Sequence, residues 1–197
     1  MDILLLGIGI GLLTLIPPGP ISLTLMQVGA RHGRQPALRG ALGVATGDTV
    51  LGVVAVVIVG LGATVPALVF TSAQVASAGL LIALGAILLA NPEIASTSVD
   101  RIERPARALF LLTSLTPTAL GAWIALLAAM PFASDVAQLS RFAFGVVISS
   151  FLWHPVLGAL ASTLSNRLGK RGHLRMSRFG GLSMGLLGLI LGAQQFS

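Results

Sequence analysis

Leu12-Leu13-Thr14-Leu15-Ile16-Pro17-Pro18-Gly19-Pro20-Ile21-Ser22 sets three prolines and a glycine in the middle of an apolar run that extends from Ile3 to Val28. The run is long enough to cross a hydrocarbon layer about 30 Å thick, which takes roughly 20 residues of helix. The prolines remove three backbone donors from its centre, so no regular helix continues through them. In hydrocarbon each freed carbonyl or N–H costs several kcal/mol unless protein or a water-filled cavity satisfies it. The stretch therefore predicts a transmembrane helix broken near mid-membrane, with the break turned inward.

The rest of the chain suits the same solvent. Of 197 residues, 55% are apolar and 9% charged, with 24 glycines and a mean hydropathy of +0.95, far from the soluble average. Apolar runs bracket as Ile3 to Val28, Leu38 to Gly62, Pro66 to Ala90, Ala106 to Phe132, Phe142 to Leu164 and Phe179 to Phe196. Six spans use nearly the whole length and leave no room for a soluble domain. Asp2 is the only charge before Arg31, so the first run lacks the basic start of a cleavable signal and reads as a retained helix. There is no cysteine, which removes disulfides and thiolate metal sites.

The charges order the spans. Arg31, Arg34 and Arg39 fall in the first connection, Arg101, Arg104 and Arg107 in the third, and Arg167, Lys170, Arg171, Arg175 and Arg178 in the fifth. Only Arg141 lies on the other side. The positive-inside rule then puts those three connections in the cytoplasm and both termini outside. The net charge of +6 flanks apolar spans, so anionic lipid headgroups are the expected partner and nucleic acid is not.

Two halves are discernible. Leu12-Leu13-Thr14 with Pro18 resembles Leu111-Leu112-Thr113 with Thr116-Pro117, and Gly79-Leu80 with Gly85 resembles Gly181-Leu182 with Gly188. Three is an odd number of spans, so the second triplet must run opposite to the first, as an inverted repeat. The expected fold is an all-α integral membrane protein forming one transmembrane domain over residues 1–197. Repeat one covers about 1–90, a cytoplasmic linker about 91–105 and repeat two about 106–197. Chance similarity between glycine-rich helices is the alternative.

Polar residues within the spans are few. Pro20 suits the first turn of a half-helix that starts at mid-membrane with its positive dipole end at the break, a ready anion site; Ser22 follows within that turn. Thr116 and Pro117 can act as N-cap and first residue of a second half-helix, although a simple kink gives the same pattern. Asp48 is the only acidic residue inside any span, where a carboxylate costs about 3 kcal/mol. Ala41, Ala45, Asp48 and Gly52 share one small-residue helix face, suited to the bundle interior. Asp48 can cap a broken helix without turning over, or it can bind a cation and a proton in turn. His154, between Trp153 and Pro155, either stabilises a kink or belongs to a site.

Gly181-Leu182-Ser183-Met184-Gly185 matches the G-x-S-x-G pattern of serine hydrolases. Ser183 sits roughly 6 Å and His154 roughly 16 Å from the cytoplasmic face by helical rise. A nucleophile and its base must approach within about 3 Å, so an enzyme is not expected.

Taken together these residues resemble the LysE/RhtB superfamily of amino-acid exporters. The match is strongest from Leu12 to Gly62, through Pro18-Gly19-Pro20, Gly29, Gly33, Gly40, Gly43, Gly47-Asp48 and Gly60. The second half is similar more loosely, and Thr116-Pro117-Thr118 stands where the family commonly has Asn-Pro followed by Lys or a similar polar residue. The resemblance implies export of amino acids or similar small solutes from the cytoplasm, driven by the proton gradient, in a bacterial inner membrane. Pro18, Gly19, Pro20, Ser22, Asp48, Thr116, Pro117 and His154 form the expected substrate site, with Asp48 coupling protons. No cofactor or metal is expected, and a homodimer is compatible with the sequence. The rivals are a divalent-cation exporter, for which one Asp and one His are few ligands, and a non-transporting membrane scaffold.

Overall fold

A computed structural model describes residues 2–16, 20–62 and 102–193, together with 75, 78–79, 82–83, 85–87 and 89–91. Every regular element among them is α-helix: α1 (Ile3–Leu15), α2 (Pro20–His32), α3 (Arg34–Gly60), α4 (Pro105–Ser114), α5 (Pro117–Ala128) and α6 (Val136–Ala193). The helical residues between 75 and 90 belong to the expected third span. Pro17, Pro18 and Gly19 lie outside the described residues, as does most of the linker.

Local chemistry sets the ends. Asp2 caps α1 by accepting from the Leu4 N–H at 2.9 Å. Pro20, Pro105 and Pro117 stand at or near the first position of α2, α4 and α5, where the missing N–H would have had no helical partner anyway. Gly33 turns α2 into α3 at φ 86, a backbone angle open to glycine and costly to other residues. Asp135 caps α6, accepting from Ala137 N–H at 3.0 Å and Gln138 N–H at 3.1 Å. The backbone and side-chain hydrogen bonds from Gln138 hold its carboxyl below the usual carboxylate range.

The contacts set the order of the bundle. Gly7 lies against Phe142 and Gly145, and Gly11 against Val146 and Ser149, so α1 and α6 run parallel. A Cβ on Gly29 would come within 2.6 Å of the Gly158 carbonyl, so α2 continues beside α6 in the same direction. Ala37 meets Gly158 while Gly60 meets Val136, so α3 runs antiparallel to α6. On its other side α3 takes α4 and α5 in parallel: Gly43 against Ala106, Gly47 against Thr113 and Ser114, Gly52 against the Trp123 ring. Small residues at each crossing let the backbones touch, the usual means of packing helices where lipid offers no hydrophobic drive. The outer surface carries Leu5, Leu13, Leu42, Val53, Val57, Phe144, Leu152 and Leu160, all exposed.

Among the described residues, α3 and the Val136–Thr163 part of α6 are long and apolar enough to cross a membrane unbroken. α4 and α5 pass the same test only together, as a pair bent by 56° on either side of Thr116. One expectation fails. The sequence places a loop between the fifth and sixth spans, whereas α6 continues as a helix of 58 residues through Pro155 and through the basic stretch Arg167 to Arg178. That stretch has no proline, and its Arg, Lys, Leu and Met favour helix against the cost of Gly169 and Gly172. Charge density marks where a chain leaves hydrocarbon; it does not stop a helix. At 1.5 Å per residue α6 extends about 87 Å, so only part of it fits one bilayer crossing. Its far part packs through Gly181 and Gly185 on Gly85 of the 75–90 segment.

The α3–α4 crossing tolerates no side chain at Gly43, because a Cβ there would overlap the Ala106 carbonyl. Gly43→Val should lower the melting point in detergent by the equivalent of about 1–3 kcal/mol or prevent accumulation. Gly9→Ala, with nothing within 4 Å, should melt like the parent. Equal melting of the two variants would rule out this crossing.

Candidate functional site

Asp48 sits midway along α3, between Gly47, which touches the end of α4, and Gly52, which touches α5. Ala41, Ala45 and Gly52, on the same helix face, are buried. Thr46 and Thr49 bond their own helix, at the Leu42 carbonyl (2.7 Å) and the Ala45 carbonyl (2.8 Å). The Asp48 carboxylate is thus left to partners on other helices.

The partner comes from α6. The Ser150 hydroxyl donates to Asp48 Oδ2 at 2.6 Å, and the Trp123 ring packs on Gly52, one turn further along α3. His154 lies one turn beyond Ser150, its Nδ1 2.9 Å from Ser150 Oγ and 3.1 Å from the Ser150 carbonyl. Ser150 and His154 are buried, at 1% and 2% exposure. Asp48 and His154, separate in the sequence reading, are therefore joined through one serine that reading did not single out. The Ser149-Ser150 pair one turn before His154, in an apolar span, was the available signal.

Both helix breaks fall at this level. From the Gly11–Ser149 contact, helical rise brings the end of α1 level with the Ser150 to Trp153 turn of α6. From the Gly29–Gly158 contact, it brings Pro20 back to the same turn. The α4 break lies beside Asp48, since Thr113 and Ser114 touch Gly47. α2 runs with α6 and α5 runs with α3, so their N-termini approach this level from opposite sides. Each carries the positive end of a helix dipole.

Thr116 occupies the N-cap position of α5, as expected, but makes no side-chain cap bond. Its hydroxyl instead donates back to the Leu112 carbonyl, satisfying the end of α4. Ser22 is buried in the first turn of α2. Pro18 and Gly19 fall outside the described residues. Among the described residues, Ser114 Oγ and Trp153 Nε1 are buried side-chain polar atoms with no hydrogen-bond partner. Both belong to the turns that border the site. The Gly181 to Gly185 stretch lies inside α6, not at the strand-to-helix elbow that a G-x-S-x-G nucleophile needs.

A half-buried Asp48 carboxylate thus has a serine hydroxyl and, beyond it, an imidazole as neighbours inside an apolar bundle. No curated protein and no solved structure matches the chain. The family profile described as LysE type translocator matches residues 12–195. That family consists of membrane translocators through which small solutes pass, and it is not a family of enzymes. With nearly the whole chain inside the match, the protein belongs to the LysE-type translocator family.

Proposed function

We propose that the chain is a secondary transporter that exports amino acids or similar small solutes from the cytoplasm of a bacterium by proton antiport across its inner membrane. The observation that carries the reading is the convergence of both helix breaks on the Asp48–Ser150 pair. Opposed half-helix N-termini suit a solute carboxylate, and Asp48 suits its ammonium group. Proton and ammonium compete for that carboxylate, so one is released as the other binds. Pro18, Gly19, Pro20, Ser22, Thr116, Pro117 and His154 complete the proposed site. The unpaired Ser114 and Trp153 donors favour a polar occupant, because each unmet bond costs about 1–3 kcal/mol.

Alternating access follows from an inverted repeat. Asp48 and Ser150 are 102 positions apart, and Gly43 and Gly145 have the same separation. Gly145 receives α1 at Gly7, and Gly43 receives α4 at Ala106. Broken helix on unbroken helix is thus the same packing twice, with the two unbroken helices antiparallel. This pairing supports two units rocking about the contact between Asp48 and Ser150, with the N-terminus outside by the charge rule. A divalent-cation exporter gains no support, since no group of three or more His, Cys, Asp or Glu comes together among the described residues.

Cells loaded with dipeptides and lacking the protein should fail to release the amino acid it exports. In vesicles, Asp48→Asn should abolish proton-coupled efflux of that amino acid while folded protein stays in the membrane. Efflux at the parent rate from Asp48→Asn would remove Asp48 from the coupling step.

A further inference from the structure

We infer that Ser150 and His154 form a proton relay that loads and unloads Asp48, with Nε2 of the His154 imidazole as the end of the relay that takes up and releases the proton. The inference rests on Asp48 as the proton carrier and adds the route its proton takes.

Hydroxyls in these helices mostly turn their proton onto their own backbone. Thr14 bonds the Gly11 carbonyl (2.8 Å), Thr113 that of Leu109 (2.8 Å), Ser149 that of Val146 (2.6 Å) and Ser162 that of Ala159 (2.8 Å). Ser150 instead sends its proton across to Asp48 Oδ2 and turns its oxygen lone pair toward His154 Nδ1. Nδ1 also lies 3.1 Å from the Ser150 carbonyl, which can only accept. The ring hydrogen is therefore assigned to Nδ1. The donors then follow one direction: His154 Nδ1–H to Ser150 Oγ, and Ser150 Oγ–H to Asp48 Oδ2. Nε2 keeps the basic lone pair of the neutral ring.

A proton taken up at Nε2 makes the imidazolium. The Nδ1–H bond breaks as Ser150 Oγ takes that proton, and the original Oγ–H bond breaks as Asp48 Oδ2 takes the other. One proton enters and one ends on the carboxyl; the serine is regenerated and the ring is neutral with its hydrogen on Nε2. The reverse sequence unloads Asp48 and ends in the arrangement described above, Nδ1–H beside a carboxylate. The carboxyl can thus trade its proton for a cationic solute without passing it through the solute's own position.

Few other groups compete. Among described side chains, the helices packed against α6 carry Asp2 at the cap of α1, Arg31 and His32 on α2, and Arg34, Arg39 and Asp48 on α3, with Arg141 and Arg178 on α6 itself. All but Asp48 are exposed, so Asp48 is the charged group turned toward His154 among the described residues.

The test uses the full chain in lipid nanodiscs with protons as the only probe. Time-resolved infrared spectroscopy after a drop in pH follows the protonated-carboxyl band assigned to Asp48 by its loss in Asp48→Asn. Ser150→Ala and His154→Gln should each slow that band by at least about tenfold, with its final amplitude in acid unchanged. Ser150→Thr, which keeps a hydroxyl, should restore the parent rate; a merely structural role would not separate rate from amplitude in this way. Parent rates in both Ser150→Ala and His154→Gln overturn the relay and leave Asp48 as carrier. Absence of any Asp48-dependent band overturns carrier and relay together. If Ser150→Ala does not fold, the His154→Gln rate decides.

Discussion

A carboxylate inside an apolar bundle must be compensated, and the arrangement around Asp48 follows from that need. Its cost at the centre of a span, about 3 kcal/mol, is offset in part by the Ser150 hydroxyl on α6, which donates to it. For Ser150 to reach it, α3 and α6 must lie close, and the small residues Ala37 and Gly158 at their crossing allow it. On the other side of the carboxylate, α4 ends beside Gly47 and α5 passes Gly52, where the Trp123 ring packs.

The same economy governs the other polar groups. With no water in hydrocarbon, hydroxyls bond the nearest carbonyl on their own helix, as Thr14, Thr113 and Ser149 do. Thr116 does so across a break, meeting the Leu112 carbonyl at the end of α4. Ser150 stands apart because its proton crosses between helices. Buried polar contacts of this kind act as register pins, and here the pin lies level with both interrupted helices.

Much of this was legible in the sequence because hydrocarbon punishes exceptions. A proline after Thr116 and a single Asp each break a rule that most span residues obey, whereas Pro17, Pro18 and Gly19 lie outside the described residues. Ser150 broke no rule, since serine is cheap in a membrane helix and its partner lies 102 positions away; only the folded chain brings them together. The continuous α6 was misread for a different reason. Arg167 to Arg178 marks a boundary of hydrocarbon, and a helix former such as arginine does not end a helix there. The N-cap position of Thr116 was legible, but the direction of its hydroxyl bond depended on which backbone group the bend left exposed.

The direct test of the Asp48–Ser150 contact is a double-mutant cycle read by thermal unfolding in detergent, with Asp48→Ala, Ser150→Ala and the pair. The chain has no cysteine, so oxidation does not complicate the melts. Side chains in one hydrogen-bonded network should couple by about 0.5–3 kcal/mol, so the double variant should be measurably more stable than the sum of the single losses implies. Losses that add within about 0.3–0.5 kcal/mol would mean that the two side chains do not touch, and the site built around them would fall.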